Sequence, residues 1–449
     1  MSRLYETMFR TVLYPAYESG LMRRGTLRYL REYEDTQWLS TDEILALQWR
    51  KLEALLDYCW ERIPYYRARW RELGIERGDI RGMDDYARLP VLGKDEIRAH
   101  HEDFLPSRPD QPILFKATSG STGEPLRVGF TRESYERRIA VMYRGYGWSG
   151  GHHGRRTLYL WGQPAGGMGW KERLYQSAFQ RRTLNAFHMT AERMAEYADA
   201  FDRFQPRVVV SYVAPIVRMA RWLLDEGRVP HRPDVILAAA EALHEGERAL
   251  VEQAFGCPVQ NTYGCREFML IAAECPHRGG LHVNADHLVV ELAGAANGGG
   301  AGDLVVTDLH NYGMPLLRYA NGDMARPGGD SCACGRGLPK IASVEGRKLD
   351  VLQTADGRQI FGEHIVYAFL GTSGVDQWQV VQDTPDAWDV YLVPGRGFGP
   401  DAIDRIARDL QPVCGEQTAL RFHLRDAIAL TPAGKRRPTI NNIAVGGTG

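Results

Sequence analysis

The sequence predicts an α/β protein in two parts: a large α/β N-terminal domain, residues 1–345, and a smaller α+β C-terminal domain, residues 346–449. Three observations carry this. Between residues 157 and 262, short apolar runs alternate with stretches of helical periodicity, the pattern of a largely parallel sheet buried on both faces. From His287 the texture changes: Leu288–Leu292 and Asp303–Leu309 flank Ala293–Gly302, a Gly/Ala/Asn loop that reads as a long hairpin connection. A second boundary falls at Gly346-Arg347, and at about 100–200 residues per domain a chain of 449 residues carries two to three units.

The elements follow in order. Residues 1–24 mix Arg3, Arg10, Arg23 and Arg24 with Leu4, Tyr5, Met8, Phe9, Val12 and Leu13, which predicts an amphipathic helix packed on its own domain in preference to a membrane-surface helix. The segment lacks the uninterrupted apolar stretch of a signal peptide. Over residues 41–72, Ile44, Leu45, Leu47, Leu52, Leu55, Leu56 and Cys59 recur at helical spacing, with Thr41 and Glu43 suited to the start. Thr157–Trp161, Val208–Tyr212, Val235–Ala239 and Pro258–Thr262 read as strands, with helices at Ala191–Phe204, Pro215–Glu226 and Glu245–Phe255 between them. In the C-terminal unit, Glu363–Leu370 and Asp401–Leu410 read as helices, and Trp378–Gln382, Trp388–Val393 and Ala419–Leu424 as strands.

Composition excludes several classes of function. A net charge of −1, with 25% charged residues, supplies no overall field for nucleic acid or an anionic membrane. No apolar run approaches the roughly 20 residues of a membrane-spanning helix. Seven cysteines without an export signal predict a cytoplasmic protein with reduced thiols. A homodimer is left open.

The chemistry is concentrated in short motifs. Thr118-Ser119-Gly120-Ser121-Thr122-Gly123 packs four hydroxyls around two glycines, a concavity of donors suited to a polyphosphate. It is not a P-loop, because no Gly-Lys-Ser/Thr closes it onto a helix. Downstream, in fixed order, stand Ala239-Ala240-Glu241, Tyr263-Gly264-Cys265-Arg266-Glu267, Leu317-Arg318-Tyr319-Ala320-Asn321-Gly322-Asp323, Gly346-Arg347 and Thr431-Pro-Ala-Gly434-Lys435. Taken singly, each has a bland explanation: a glutamate at a helix N-terminus for Glu267, an Asx turn for Asp323, a solvated basic run for Lys435.

Together the six segments resemble the acyl-adenylate-forming ligase superfamily, in its branch of phenylacetate–CoA ligases and capsule-biosynthesis adenylases. The similarity runs from about Trp38 to the C-terminus, through Ile63-Pro-Tyr-Tyr-Arg67 and Leu89-Pro-Val-Leu-Gly-Lys94. It implies an ATP-binding set of Thr118, Ser119, Gly120, Ser121, Thr122, Gly123, Ala240, Glu241, Tyr263, Gly264, Arg266, Asp323 and Arg347. Within that set the loop holds the leaving phosphates, Tyr263 stacks on adenine with Gly264 giving the ring room, and Asp323 and Arg347 take the ribose hydroxyls. The resemblance makes Glu267 the Mg²⁺ ligand and, with Lys435, a catalytic residue. Trp161, Tyr212 and Ala240 line the acyl pocket. Three departures stand out: Arg266 replaces the usual Thr or Ser, Ala320-Asn321 replaces Arg-Thr, and Leu349-Asp350 follows Arg347 where a charged hinge is common.

A second signal is metal-like. Cys275, His277 and His282 form one cluster and Cys332 and Cys334 another, some fifty residues apart, a spacing that fits a tetrahedral structural zinc. The expected ligands are Cys275, His282, Cys332 and Cys334, with His277 as the substitute fourth; two unrelated thiol pairs are the competing explanation. The resemblance implies ATP- and Mg²⁺-dependent activation of a small carboxylic acid, aromatic acids among the candidates, to acyl-AMP, then transfer to CoA, by a large layered α/β N-terminal domain and a smaller mobile α+β C-terminal domain. The alternative is transfer to an amine, sugar or carrier protein, and a degenerate nucleotide-binding module is the reading from another class.

Overall fold

The computed structural model describes residues 2–117, 126–162, 169–186, 189, 191–295, 300–329, 331–347, 351–355, 359–360, 365, 368–369, 374–430 and 437–443. The Thr118–Gly123 loop, Lys435, Leu349-Asp350 and most of the expected helix Glu363–Leu370 lie outside the described residues.

A short antiparallel hairpin, β1 (Leu114–Ala117) and β2 (Arg127–Phe130), brackets the hydroxyl-rich loop. The centre is an 11-stranded sheet. Its strands are β3 (Thr157–Trp161), β4 (Arg181–Asn185), β5 (Val208–Tyr212), β6 (Val235–Ala239), β7 (Val259–Cys265), β8 (Met269–Glu274), β9 (Leu281–Val283), β10 (Leu288–Ala293), β11 (Gly302–Asp308), β12 (Tyr319–Pro327) and β13 (Lys340–Arg347). Their order is β10-β11-β12-β13-β9-β8-β7-β6-β5-β3-β4.

The parallel sheet expected over residues 157–262 is present, and it continues into an antiparallel portion, so the whole sheet is mixed. The β4-β3-β5-β6-β7 portion is parallel. From β7 to β10 every pairing is antiparallel. The reason is the connections: strands up to β7 are joined through helices, whereas β7 turns back into β8 through Arg266-Glu267-Phe268, too short for a crossover. The hairpin expected around Ala293–Gly302 is β10–β11, with Ala293 opposite Asp303.

Residues 41–72 form two helices, Thr41–Arg62 and Pro64–Glu72, because Pro64 cannot continue the first but suits the opening turn of the second. The first is capped by Ser40, whose hydroxyl accepts from the Glu43 amide while the Glu43 carboxylate accepts from the Ser40 amide. The C-terminal unit pairs β14 (Leu352–Gln353) with β15 (Gln359–Ile360), and builds a four-stranded sheet from β16 (Val375–Thr384), β17 (Ala387–Pro394), β18 (Ala419–Leu424) and β19 (Thr439–Asn441), in the order β18-β17-β16-β19. Trp388, Val390, Leu392, Ile406 and Leu410 fill a core of its own. No helix among the described residues is long and apolar enough to cross a membrane.

Charged groups are buried where the helix Arg132–Trp148 meets the antiparallel strands. Arg138 pairs with Asp308 at 2.7 Å, and Arg144 with Asp286 and Asn284. His287 and His310 stack beside them at 5.3 Å, and burial, then the neighbouring cations, holds both imidazoles well below their ordinary pKa. His153, between Tyr14 and Tyr143, is pushed down to about 3, first by burial and then by Arg10. These histidines fold neutral and titrate near 6.5 when unfolded, so their contribution is complete above that pH and is lost as pH falls through it. Melting temperatures measured from pH 7.5 to 5 should fall steadily below pH 6.5, and His153→Asn should flatten the slope by up to about 1.4 kcal/mol per pH unit.

Candidate active site and metal centre

The C-terminal ends of the parallel strands gather the motif residues on one side of the sheet, where ligands of open α/β folds bind. Trp161 ends β3 and Tyr212 ends β5, and their rings lie 4.0 Å apart. Ala239, the last residue of β6, is in register with Tyr212, so Ala240 emerges beside that aromatic pair with a positive φ of 70°. Glu241 turns back to accept from the Ala214 amide at 2.6 Å, holding the N-terminus of the helix Val213–Asp225 against the strand end.

A second group forms where β7 and β12 face each other. The Tyr263 hydroxyl donates to Asp323 Oδ2 at 2.7 Å, and Asn321 Nδ2 donates to the same hydroxyl at 2.6 Å and to Asp323 at 3.1 Å. Burial, then the Asp323 charge, drives the Tyr263 phenol well above its ordinary pKa, so it stays a donor. Asp323 also pairs in register with Arg347, which brings the domain junction to the same carboxylate along the backbone. Asn321, absent from the expected site, is thus what orients Asp323; its only sequence signal is the departure from Arg-Thr. Asp323→Ala is expected to raise the KM for ATP by about tenfold, the loss of one charge-assisted hydrogen-bonding group, with the fold intact; exchange kinetics and a melting curve check both halves.

Glu267 is buried, and its Oε1 accepts from the Tyr319 hydroxyl at 3.2 Å. It sits in the β7–β8 turn with no helix following, which removes the helix-terminus explanation. The phenol of Tyr319 is raised far above its normal range by burial and then by Glu267. Arg266 donates to the Ala117 carbonyl at 3.1 Å, so the residue replacing the usual hydroxyl is anchored at the base of the Thr118–Gly123 loop. Gly264 has a backbone reason to be glycine: a Cβ would stand 1.8 Å from the Met269 carbonyl oxygen in the irregular β7–β8 pairing. That contact by itself requires glycine at this position. Arg318, at φ 50°, pairs with Glu291 at 2.9 Å and fixes the strand carrying Tyr319, Asn321 and Asp323.

The cysteine and histidine clusters meet. Ligand atoms of Cys275, His282, Cys332 and Cys334 all lie within 4.8 Å of one another. Cys275 Sγ is 3.7 Å from Cys332 Sγ, and Cys334 Sγ is 3.4 Å from His282 Nε2. Tetrahedral zinc with ordinary bond lengths places two sulfurs about 3.8 Å apart and a sulfur and nitrogen about 3.6 Å apart, so this donor set fits the ion. His282 Nδ1 lies 3.0 Å from the Leu338 carbonyl; donation there leaves Nε2 as an acceptor facing the thiols. Burial pushes the Cys275 thiol up to about 12, whereas at Cys334 the bonds from Arg336 outweigh burial and bring the thiol below its usual value. His277 is exposed and is not a member of the group.

An 11-stranded mixed sheet with these side chains gathered at its strand ends, followed by a smaller α+β unit, is the fold shared with solved acyl-CoA ligases. Residues 352–442 match the CapK C-terminal domain family. The phenylacetate–coenzyme A ligase of Thermus thermophilus is 28% identical over 331 residues, 71% of this chain and 73% of the relative. Protein CapK of Staphylococcus aureus is 26% identical over 432 residues, 93% of this chain and 94% of the relative. The crystal structure of 2-hydroxyisobutyryl-CoA ligase in the postadenylation state superimposes with a TM-score of 0.73 at 20% identity, covering 90% of both chains. These likenesses support an acyl-adenylate-forming ligase of the phenylacetate–CoA ligase/CapK branch.

Proposed function

We propose that this protein activates a small carboxylic acid with ATP, forming acyl-AMP and pyrophosphate, and then transfers the acyl group to CoA as a thioester. The observation that carries this reading is the convergence of Tyr263, Asn321 and Asp323 with Glu267 and Tyr319, beside the Trp161–Tyr212 pair and Ala240. Attack of a carboxylate on the α-phosphate requires alignment and charge neutralisation more than covalent help from the protein. Asp323, with Arg347, is assigned to the ribose hydroxyls, and the Thr118–Gly123 loop, braced by Arg266, to the leaving phosphates. Tyr263 and Glu241 shape the nucleotide pocket. Glu267 would hold Mg²⁺, a hard cation that takes carboxylate and phosphate oxygens and supplies charge neutralisation there. Trp161, Tyr212 and Ala240 would face the acid, and an aromatic acid suits the paired rings. Residues 1–345 would act as the nucleotide- and acid-binding domain and 346–449 as a lid that carries Lys435 in for adenylation and away for transfer.

One observation favours a second acceptor. Similarity to the phenylacetate ligase covers 71% of this chain, whereas similarity to CapK covers 93%, and the C-terminal unit matches the CapK family. On that likeness the alternative acceptor, an amine, sugar or carrier protein in place of CoA, is kept as the second reading. The test is ATP–pyrophosphate exchange across aromatic, aliphatic and amino acids, followed by thioester assay with CoA. Acid-dependent exchange is expected. Exchange without thioester would select the second acceptor, and nucleotide binding with no exchange on any acid would reject the enzyme reading.

A further inference from the structure

The helix Trp170–Ala178 and the edge strand β4 form a face that the adenylation chemistry does not use. Between them is a cavity of about 380 Å³ lined by Arg156, Arg173, Gln176, Arg181, Arg182 and Phe204 among others, with no carboxylate in its wall. Among the described residues, no carboxylate pairs with Arg156, Arg173 or Arg182. Arg156 gives one guanidinium nitrogen to the Phe204 carbonyl at 3.3 Å, and its Nε is buried without a partner. Arg156 precedes β3, whereas Trp161 closes that strand, so the cavity opens at the end of the sheet opposite the candidate active site. Arg156 and the cavity therefore lie apart from the side chains of the candidate active site.

The same helix carries an apolar ridge. Trp170 is 68% exposed and Leu174, one turn on, 65%, and Arg173 between them lines the cavity. The N-terminal helical segment packs on this helix: the Tyr5 hydroxyl donates to the Ala178 carbonyl, and Phe9 meets Phe179 edge-on. Its inward aromatic face is thereby used, as the sequence predicts, yet Leu4, Met8 and Val12, at four-residue spacing, remain in solvent, with Leu4 79% exposed. Charged side chains on β4 alone would be ordinary protection of a sheet edge. Exposed tryptophan and leucines beside them do the opposite, and an arginine-lined cavity with one carboxylate beside its wall, Glu172 accepting from Gln176 at 2.5 Å, does not serve that purpose. An isologous dimer through this face would set arginine against arginine.

We propose that this face docks on an anionic phospholipid membrane surface. Trp170, Leu174 and the Leu4–Met8–Val12 stripe would enter the headgroup–acyl boundary, and Arg156, Arg173 and Arg182 would receive a lipid phosphate. Three arginines at a charged bilayer act locally, which a net charge of −1 over the whole chain does not oppose.

The test is co-sedimentation of the full chain with phosphatidylcholine vesicles, with and without 30 mol% phosphatidylglycerol, about one third anionic lipid as on a charged leaflet. Wild type should partition onto the phosphatidylglycerol vesicles at low salt and leave them as salt is raised. Arg156→Gln/Arg173→Gln/Arg182→Gln should abolish the preference for anionic lipid, and Leu4→Glu/Leu174→Glu should cut partition by about tenfold or more. Melting temperature and ATP–pyrophosphate exchange should stay unchanged in both variants, which separates lost docking from lost fold. Three results would each overturn the proposal: equal binding to neutral vesicles; no vesicle binding while inorganic pyrophosphate raises the melting temperature of wild type but not of the arginine variant; or a dimer in solution dissolved by the leucine variant.

Discussion

Lys435→Ala is expected to reduce ATP–pyrophosphate exchange by about 10²–10³-fold, the scale of removing one electrostatic stabiliser of a charged transition state. The argument rests on timing. Negative charge grows on the α-phosphate oxygens only while the carboxylate attacks, so a lysine delivered by the C-terminal domain contributes to that step alone. Given synthetic acyl-AMP, the same variant should pass the acyl group to its acceptor at close to the wild-type rate. The melting curve should not move, because a core of Trp388, Val390, Leu392, Ile406 and Leu410 holds the C-terminal unit. Stopped-flow or quench measurement of each half-reaction separates the outcomes. Equal losses in both would mean that Lys435 holds the fold or the acceptor, and domain alternation would then lose its support in this chain.

What was legible in the sequence follows from which forces are local. Strands Thr157–Trp161, Val208–Tyr212 and Val235–Ala239 coincide with β3, β5 and β6, because a strand buried on both faces announces itself as an unbroken apolar run. β4 escaped, since Arg181-Arg182-Thr183-Leu184-Asn185 lies at the sheet edge and alternates weakly. Of the antiparallel half only the β10–β11 hairpin was legible; the pairing of β13 with β9 joins segments nearly sixty residues apart, and nothing in a short window encodes it. At the site, motif order placed Tyr263, Asp323 and Glu267 near one another. It could not show that Asn321 bridges Tyr263 and Asp323, or that Gly264 answers to the Met269 carbonyl, because both depend on register between strands.

The cysteine and histidine group combines both kinds of information, and its removal carries the other large expected effect. Spacing and the family resemblance pointed to Cys275, His282, Cys332 and Cys334, with His277 as the substitute, and the fold brings the first four within 4.8 Å by joining the end of β8, strand β9 and the loop between β12 and β13. We expect about one zinc per chain in the purified protein, held by four protein ligands with no open position for substrate. Structural zinc in small peptides contributes about 10–16 kcal/mol of apparent binding free energy at neutral pH, against the about 5–15 kcal/mol net stability of a typical domain. Even a fraction of that lost on chelation would lower the melting temperature by ten degrees or so. Cys332→Ser/Cys334→Ser should abolish zinc retention and give the same loss without chelator, whereas His277→Ala, at an exposed position outside the group, should change neither. Elemental analysis, thiol titration and melting curves decide it. A zinc-free protein with all seven thiols reactive on unfolding, and stability indifferent to chelator, would reduce the cluster to a packing contact. Zinc retained in the double cysteine variant but lost in His277→Ala would instead move the fourth ligand to the exposed loop.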